Sequence, residues 1–442
     1  MFQASRLLAA LIVSVLATSA LAADKLVILS PHRKTIQEEF VPLFKTYYEK
    51  TYGTAVEVDW IDQGGTSNAV KYLTAKAEKN PKDIGIDVFW GGTSANFVDM
   101  ARQGLLAPYK LSDATRKAIP ETCAGVPLSD PKNLWHATEV SSFGILFNRT
   151  LLKMEKLPEP TTWADLGHAQ YFNLLSSTDP RKSGTNSTMN SIILEAEGWA
   201  KGWELLTRMA GNTRVFTQSS SDPVRAVGTG DAGAATVVDF YGLSQVLENG
   251  QDKVSFILPA GKTIIDPDPI ALVKGAPHVE VAGRFIEFLL TKEAQKVWVL
   301  PKGEKDGPTR AVQARLAVHP LAYKETEGRR LPLLENPYLA KGYLQFDVVK
   351  AGEWREPLND LVGAVLVDSH ADLKRAWKRI LDDKQPANAV AAFVKPIVSE
   401  KDLKDAAVKW NDDVYRNTKI NEWVQAAKSK YATLAAGQIP KA

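Results

Sequence analysis

Three times within the first 104 residues a short apolar run ends in a small polar loop and gives way to an amphipathic stretch. Residues 26–29 run into Ser30-Pro31-His32-Arg33, residues 56–61 into Gly64-Gly65-Thr66-Ser67, and residues 86–90 into Gly91-Gly92-Thr93-Ser94. Between them Ile36, Phe40, Leu43, Phe44 and Tyr47 recur at helical spacing before Gly53, and Ala69, Val70, Leu73 and Ala77 form a second such face. Phe97, Val98 and Ala101 form a third, which stops near Gly104. The alternation predicts an α/β fold with a mostly parallel sheet. Ligands of such sheets sit outside the carboxyl ends of the strands. Residues 30–33, 63–67 and 91–94 are therefore the first candidate positions.

The chain has 442 residues, more than one hydrophobic core organises, so at least two domains are expected. A net charge of +3 gives no basic face for nucleic acid, and a single cysteine excludes an internal disulfide framework or a cysteine-rich metal cluster. Residues 1–22 read as a secretory signal peptide: Arg6 supplies the positive start, residues 7–17 an apolar stretch too short to span a bilayer, and Ala20-Leu21-Ala22 the cleavage pattern. The expected product is a soluble periplasmic protein in which Cys123 is a free, buried thiol.

A second α/β unit opens at residues 143–147, with strands at 172–176, 214–217, 234–238, 254–259 and 270–273. Helices at 186–197, 199–209 and 279–290 separate or follow them, and the last 120 residues are mostly helical in pattern, with Trp377, Ile380 and Leu381 on one face. By its ordered stretches the chain resembles the periplasmic solute-binding proteins of bacterial ABC importers, in the branch with the ferric-ion-binding and organophosphate- or phosphonate-binding proteins. The likeness runs from Asp24 to about Arg310. It is carried by Ile86-Asp87-Val88-Phe89-Trp90-Gly91-Gly92, Phe143-Gly144-Ile145-Leu146-Phe147-Asn148, Pro160-Thr161-Thr162-Trp163-Ala164-Asp165-Leu166, Asp179-Pro180 with Ser183-Gly184-Thr185, and Asp268-Pro269-Ile270-Ala271-Leu272-Val273.

The resemblance implies a two-lobed type II periplasmic binding protein fold with a hinge that the chain crosses twice, near residues 140–144 and 259–270. Lobe 1 would comprise residues 24–140 and 267–442, and lobe 2 residues 141–266. Residues from about 320 onward would be a helical C-terminal elaboration on lobe 1. A monomer is expected, with no cofactor, a small anionic solute as ligand and the importer's inner-membrane permease as partner.

The strongest chemical feature is Arg181-Lys182-Ser183-Gly184-Thr185, opening a helix after a strand. A helix N-terminus offers unpaired N–H groups and partial positive charge, an anion site, and the resemblance places a ligand at the matching loop. Ser219, Ser220 and Ser221 form a second polar run that reads equally as an N-cap or as a ligand loop. Thr66, Ser67, Thr93 and Ser94 have the same two readings, and Ser30, His32 and Arg33 join them at the end of the first strand. Asp239-Phe240-Tyr241 falls where ferric-binding relatives carry adjacent tyrosines, but one phenol is missing and residues 91–94 hold no acidic group. A ferric reading would rest on Tyr241, Asp239 and His32. There is no nucleophile elbow, zinc-protease, Walker or dinucleotide-binding motif, so an enzyme is not expected. The reading is capture of an organic phosphate, phosphonate or other oxyanion for an ABC importer. The alternatives are ferric-iron transport and ligand sensing for a membrane receptor or histidine kinase.

Overall fold

The computed structural model describes residues 23–440; the expected leader, residues 1–22, lies outside the described residues. The first three repeats form as the apolar spacing dictates. Strand β1 (Asp24–Leu29) leads into α1 (Lys34–Tyr52), β2 (Val56–Ile61) into α2 (Thr66–Lys79), and β3 (Val88–Trp90) into α3 (Ser94–Arg102). In α1 Ile36, Phe40, Phe44 and Tyr48 recur every four residues, and that face is buried. The helix ends at Gly53, whose left-handed conformation (φ 72°) lets its N–H reach the Glu49 carbonyl at 2.9 Å. β1 pairs in parallel with both β2 and β3.

After β4 (Leu106–Ala107), α4 (Asp113–Ala118) and the short hairpin β5 (Thr122–Cys123) and β6 (Val126–Pro127) comes β7 (His136–Asn148), 13 residues long and buried throughout. The chain continues through α5 (Arg149–Met154), β8 (Leu175–Thr178), α6 (Gly184–Glu197), α7 (Trp199–Asn212), β9 (Thr213–Thr217), α8 (Ser221–Thr229), β10 (Ala234–Val238), α9 (Asp239–Asn249) and β11 (Val254–Ile257). It returns through β12 (Ile265–Val273), two helices (Val279–Leu289 and Lys292–Val299) and the edge strand β13 (Leu316–Ala317).

One sheet path, β2-β1-β3-β12-β7-β10-β8-β9, runs through the molecule, and β7 and β12 join its halves. They pair antiparallel from Ser142–Ile265 to His136–Ile270. Beyond that, the rest of β7 (from Phe143) pairs with β10 and β11, and the end of β12 pairs with β3. Gly144 makes this handover possible, since a Cβ there would lie 2.2 Å from the Ile257 carbonyl oxygen and 2.6 Å from the Phe256 ring. Both strands are longer than their apolar runs predict. Their extra length contains Glu139, Asp266 and Asp268, which are buried and partnered inside the fold.

The C-terminal helices correct the expectation that they elaborate lobe 1. Trp354, Leu358, Leu361, Trp377, Phe393, Trp410, Trp423 and Tyr431 share one core with Ile145, Trp163, Leu175, Trp203 and Ala234, which belong to the β7–β10 half. Trp377 donates its indole N–H to Asn212 at 2.9 Å and stacks on Phe393 with ring centres 5.0 Å apart. The lobe 1 core is already closed by α1 and residues 281–300, whereas α7 presents an apolar face that needs a cover. Residues 331–338 still pack on the first core, so the chain crosses between the halves a third time before Trp354.

Replacing fully buried Trp377 with alanine removes this stack and leaves Asn212 without its indole donor. Trp377→Ala is expected to cost about 3–5 kcal/mol, read as a lower denaturant midpoint by circular dichroism. A midpoint within error of wild type would show that the C-terminal helices do not stabilise the β7–β10 half.

Candidate functional site

A cleft of about 310 Å³ opens where the two halves meet. The N-terminal ends of α1, α2, α3, α6 and α8 all reach its lining, through Arg33, Gly65-Thr66, Gly92-Thr93, Ser183-Gly184-Thr185 and Ser220-Ser221. α1 and α2 have neither a side-chain cap on their first N–H groups nor an acidic residue in the first turn. Each such end carries roughly half a positive charge. Lys182 and Arg33 add full charges.

Arg33 is the distinctive cation. Its guanidinium lies 4.7 Å from the centre of the Tyr241 ring and 5.8 Å from that of Phe240, and its Nε is buried without a hydrogen-bond partner. Arg315 is built differently. It is buried, bonded to Glu139 at 2.7 Å and Asp268 at 2.6 Å, and lies 3.8 Å over Phe240. His32 joins this cluster through Nε2, 3.3 Å from Asp268. Two carboxylates this close inside the protein do not both ionise readily. Burial and the neighbouring Asp268 push Glu139 well above the usual carboxylate range. Burial also acts to raise Asp268, but His32 and Arg315 outweigh it and hold Asp268 below that range. Burial lowers the pKa of His32, favouring the neutral imidazole. The Arg315–Asp268 pair is thus internally neutralised, and Arg33 is left to face the cleft.

Two further acids temper the site. Asp266 accepts hydrogen bonds from the hydroxyl and the N–H of Ser94, and burial pushes its pKa up to about 7. Asp239, also raised to about 7 by burial, accepts from the N–H groups of Ser142 (2.8 Å) and Phe240 (2.7 Å).

Of the sequence-derived candidates, the cleft gathers His32, Arg33, Thr66, Thr93, Ser183, Gly184, Thr185, Ser219, Ser220, Ser221 and Tyr241. It joins the two polar loops directly, with the hydroxyls of Ser183 and Ser220 2.6 Å apart. Five candidates are not in its lining. Ser30 is buried and accepts from the N–H of His32; Ser94 is turned to Asp266; Asp239 caps backbone N–H groups. Arg181 is held by Asp179 and Asp368, each at 2.7 Å. Ser67 follows Thr66 by one helical position, a turn of about 100° that takes it off the lining. Tyr241, Asp239 and His32 do not form a ligand set: Asp239 has both oxygens on N–H groups, His32 is bonded to Asp268, and Tyr241 lies beneath Arg33. His32, Glu139 and Asp268 do have ligand atoms within 4.8 Å of one another, but Arg315 already bonds both carboxylates there.

The sequence profile of the bacterial extracellular solute-binding proteins matches residues 80–322, more than half of the chain. The chain belongs to that family. It is 30% identical over 192 residues to the phosphoglycerate transport regulatory protein PgtC of Salmonella typhimurium, an alignment covering 42% of this chain and 47% of that one. This chain therefore spans about half the length of that relative. A putative 2-aminoethylphosphonate-binding periplasmic protein of the same species is 26% identical over 252 residues, 55% of this chain and 68% of its own. Among solved structures, the periplasmic binding protein AfuA of Actinobacillus pleuropneumoniae, with fructose-6-phosphate bound, superposes with a TM-score of 0.63 at 20% identity, covering 78% of this chain and 98% of that one. Iron-bound HitA of Pseudomonas aeruginosa superposes at 0.58 and 15% identity, over 77% of this chain and 99% of that one. These likenesses show the two-lobed type II periplasmic binding fold. No described helix is long and apolar enough to cross a membrane.

This solute-binding protein also carries charged site residues that the sequence reading did not name as candidates: Glu139, Asp266, Asp268 and Arg315. The signal for most of them was a charge isolated in an apolar strand. Asp266 and Asp268 alternate in Ile265-Asp266-Pro267-Asp268-Pro269-Ile270, and Arg315 stands between Ala314 and Leu316. A charge at such a position is buried and needs a partner.

The raised pKa of Asp266 has a definite sign. The folded state holds a proton that the unfolded carboxyl, near 3.9, gives up, so this stabilising contribution is full below about pH 4 and is lost as pH rises to about 7. Asp266→Asn removes the titration. Measured from pH 4 to pH 9, the melting temperature of the variant is expected to gain on wild type up to about pH 7, with a constant difference above. A difference independent of pH throughout would show that Asp266 titrates normally.

Proposed function

We propose that this protein captures a small anionic solute, an organic phosphate, phosphonate or other oxyanion, between its lobes and delivers it to the permease of an ABC importer. It would do so in the periplasm as a monomer, after cleavage of the leader behind Ala22. The observation that carries the reading is the convergence of five helix N-termini on one cleft that also holds Arg33 with its Nε unpaired. An oxyanion satisfies N–H groups and guanidinium together, and charge-assisted hydrogen bonds of this kind are the strong ones. Ser183, Ser220 and Thr66 supply hydroxyls from both sides of the cleft. A solute touching both lobes interacts more in the closed state and shifts the population toward it. The relatives named for phosphoglycerate and 2-aminoethylphosphonate support the choice of ligand class.

Ferric iron fits the cleft less well. Hard ferric ion needs phenolate and carboxylate oxygens. Here Phe240 supplies no phenol, Asp239 is committed to N–H groups, and two arginines lie over the Phe240-Tyr241 pair. Ligand sensing for a membrane receptor or histidine kinase is favoured by one fact, the description of the Salmonella relative as a transport regulatory protein.

A thermal-shift screen of phosphate monoesters and phosphonates is expected to find ligands, since a molecule binding only the folded state raises the melting temperature. With the best hit, Arg33→Gln is expected to weaken binding about ten- to a hundredfold by isothermal titration. Gly184→Asp is expected to fold, because its new Cβ meets nothing closer than 3.7 Å, yet to lose more affinity through its negative charge. Unchanged affinity in both variants with the fold intact would place the anion elsewhere. Tight iron binding with a phenolate charge-transfer band that Tyr241→Phe abolishes would establish the ferric reading instead.

A further inference from the structure

The third crossing of the chain between the lobes ends in an arginine that touches both. Residues 343–346 run past the hinge: the N–H of Leu344 donates to the Thr263 carbonyl at 2.7 Å, and Leu344 and Phe346 pack on Phe143, Val238 and Phe240. The short helix Val348–Gly352 then lies against α3 of lobe 1, and Trp354 enters the core of lobe 2 beside Trp199. Arg355 follows at once. Its Nε donates to the hydroxyl of Ser187 on α6 at 3.0 Å, and its Nη1 lies 3.4 Å from Asp99 on α3. Its Nη2 is within 4.0 Å of the position a Cβ on Gly184 would take. The side chain is only 11% exposed.

We infer that Arg355 is a cross-cleft clamp: it ties α3 of one lobe to α6 of the other beside the Ser183-Gly184-Thr185 loop, and so biases the lobes toward the closed arrangement before any solute arrives. The neighbouring contacts are consistent with such a role. Arg181, which the sequence suggested as a ligand, is instead fixed between Asp179 and Asp368, anchoring the C-terminal helices to the start of the same loop. The elaboration thus grips the loop from behind through Arg181 and spans the cleft through Arg355. Arg355 is a positioning residue, and it acts on a solute only through the lobe arrangement. The value of that bias to capture rests on the proposed function, but the bias itself does not.

The test therefore uses the full-length mature protein without solute. Spin labels at Lys71→Cys on α2 and Arg225→Cys on α8, both exposed and in opposite lobes, report the interlobe distance by double electron–electron resonance, with buried Cys123 left in place. Arg355→Gln and, separately, Asp99→Asn are each expected to raise the ratio of long-distance to short-distance population roughly three- to tenfold, the scale of a partly exposed ion pair with a hydrogen bond. The double variant is expected to go no further than either single one, and Arg355→Lys is expected to recover part of the closed population. Asp99→Asn leaves the C-terminal helices untouched, so misfolding of an Arg355 variant does not remove the test. A distance distribution unchanged in Asp99→Asn, or additive effects of the two substitutions, overturns the clamp. A protein that binds no anion yet opens in these variants keeps the clamp and refutes the ligand reading, so the two fail separately.

Discussion

The pairing of β7 with β12 is the contact on which the two-lobed arrangement depends, and Arg315 is the charge that makes it tenable. β7 and β12 bring Glu139 and Asp268 into the interior at the junction of the halves. Left alone, buried carboxylates would be costly. Arg315, immediately before the edge strand β13, bonds both and closes over Phe240 of the opposite lobe. Removing one partner of a buried pair generally costs about 3–5 kcal/mol, because it strands the other. The same cluster seats His32 at the cleft floor and presents Asp268 to the Gly92 N–H, which fixes the loop at the end of β3.

The character of the cleft follows from what this cluster does not neutralise. Arg315 is matched by Asp268, while Asp266 and Asp239 have pKa values near 7 and carry less than full charge at neutral pH. Arg33 meets aromatic faces in place of a carboxylate. Helix N-termini from both lobes surround it. The balance tilts positive inside a protein whose overall charge is only +3. The proposed preference for an anion thus rests on local placement; net composition contributes little to it.

The C-terminal helices change how the lobes relate. In this chain the halves are joined by β7 and β12 and again by the segment before Trp354. Their tryptophan-rich core covers the back of lobe 2 and gives that lobe more buried apolar surface than its own sheet and helices would supply. A hinge motion must therefore carry these helices with lobe 2, while residues 331–338 stay with lobe 1.

The amino-acid sequence by itself determined the parts that local periodicity encodes. The three strand–loop–helix repeats, the stop at Gly53, the strand Ala234–Val238 and the polar loops at residues 183–185 and 219–221 are legible because side-chain spacing sets which face is buried and loop chemistry sets where helices begin. The family was legible from the order of such pieces. What tertiary structure alone decided is which distant groups meet. Arg181 reads as a ligand until Asp368, 187 residues away, takes it; Asp239 reads as one until the N–H of Ser142 does. Arg315 and Asp268 read as lone charges until the sheet places them 2.6 Å apart. The C-terminal helices show an apolar face in sequence, but a face does not name its partner: chain continuity pointed to lobe 1, and the uncovered side of α7 placed them on lobe 2. Burial and charge pairing depend on distance in space, and periodicity along the chain carries no information about that.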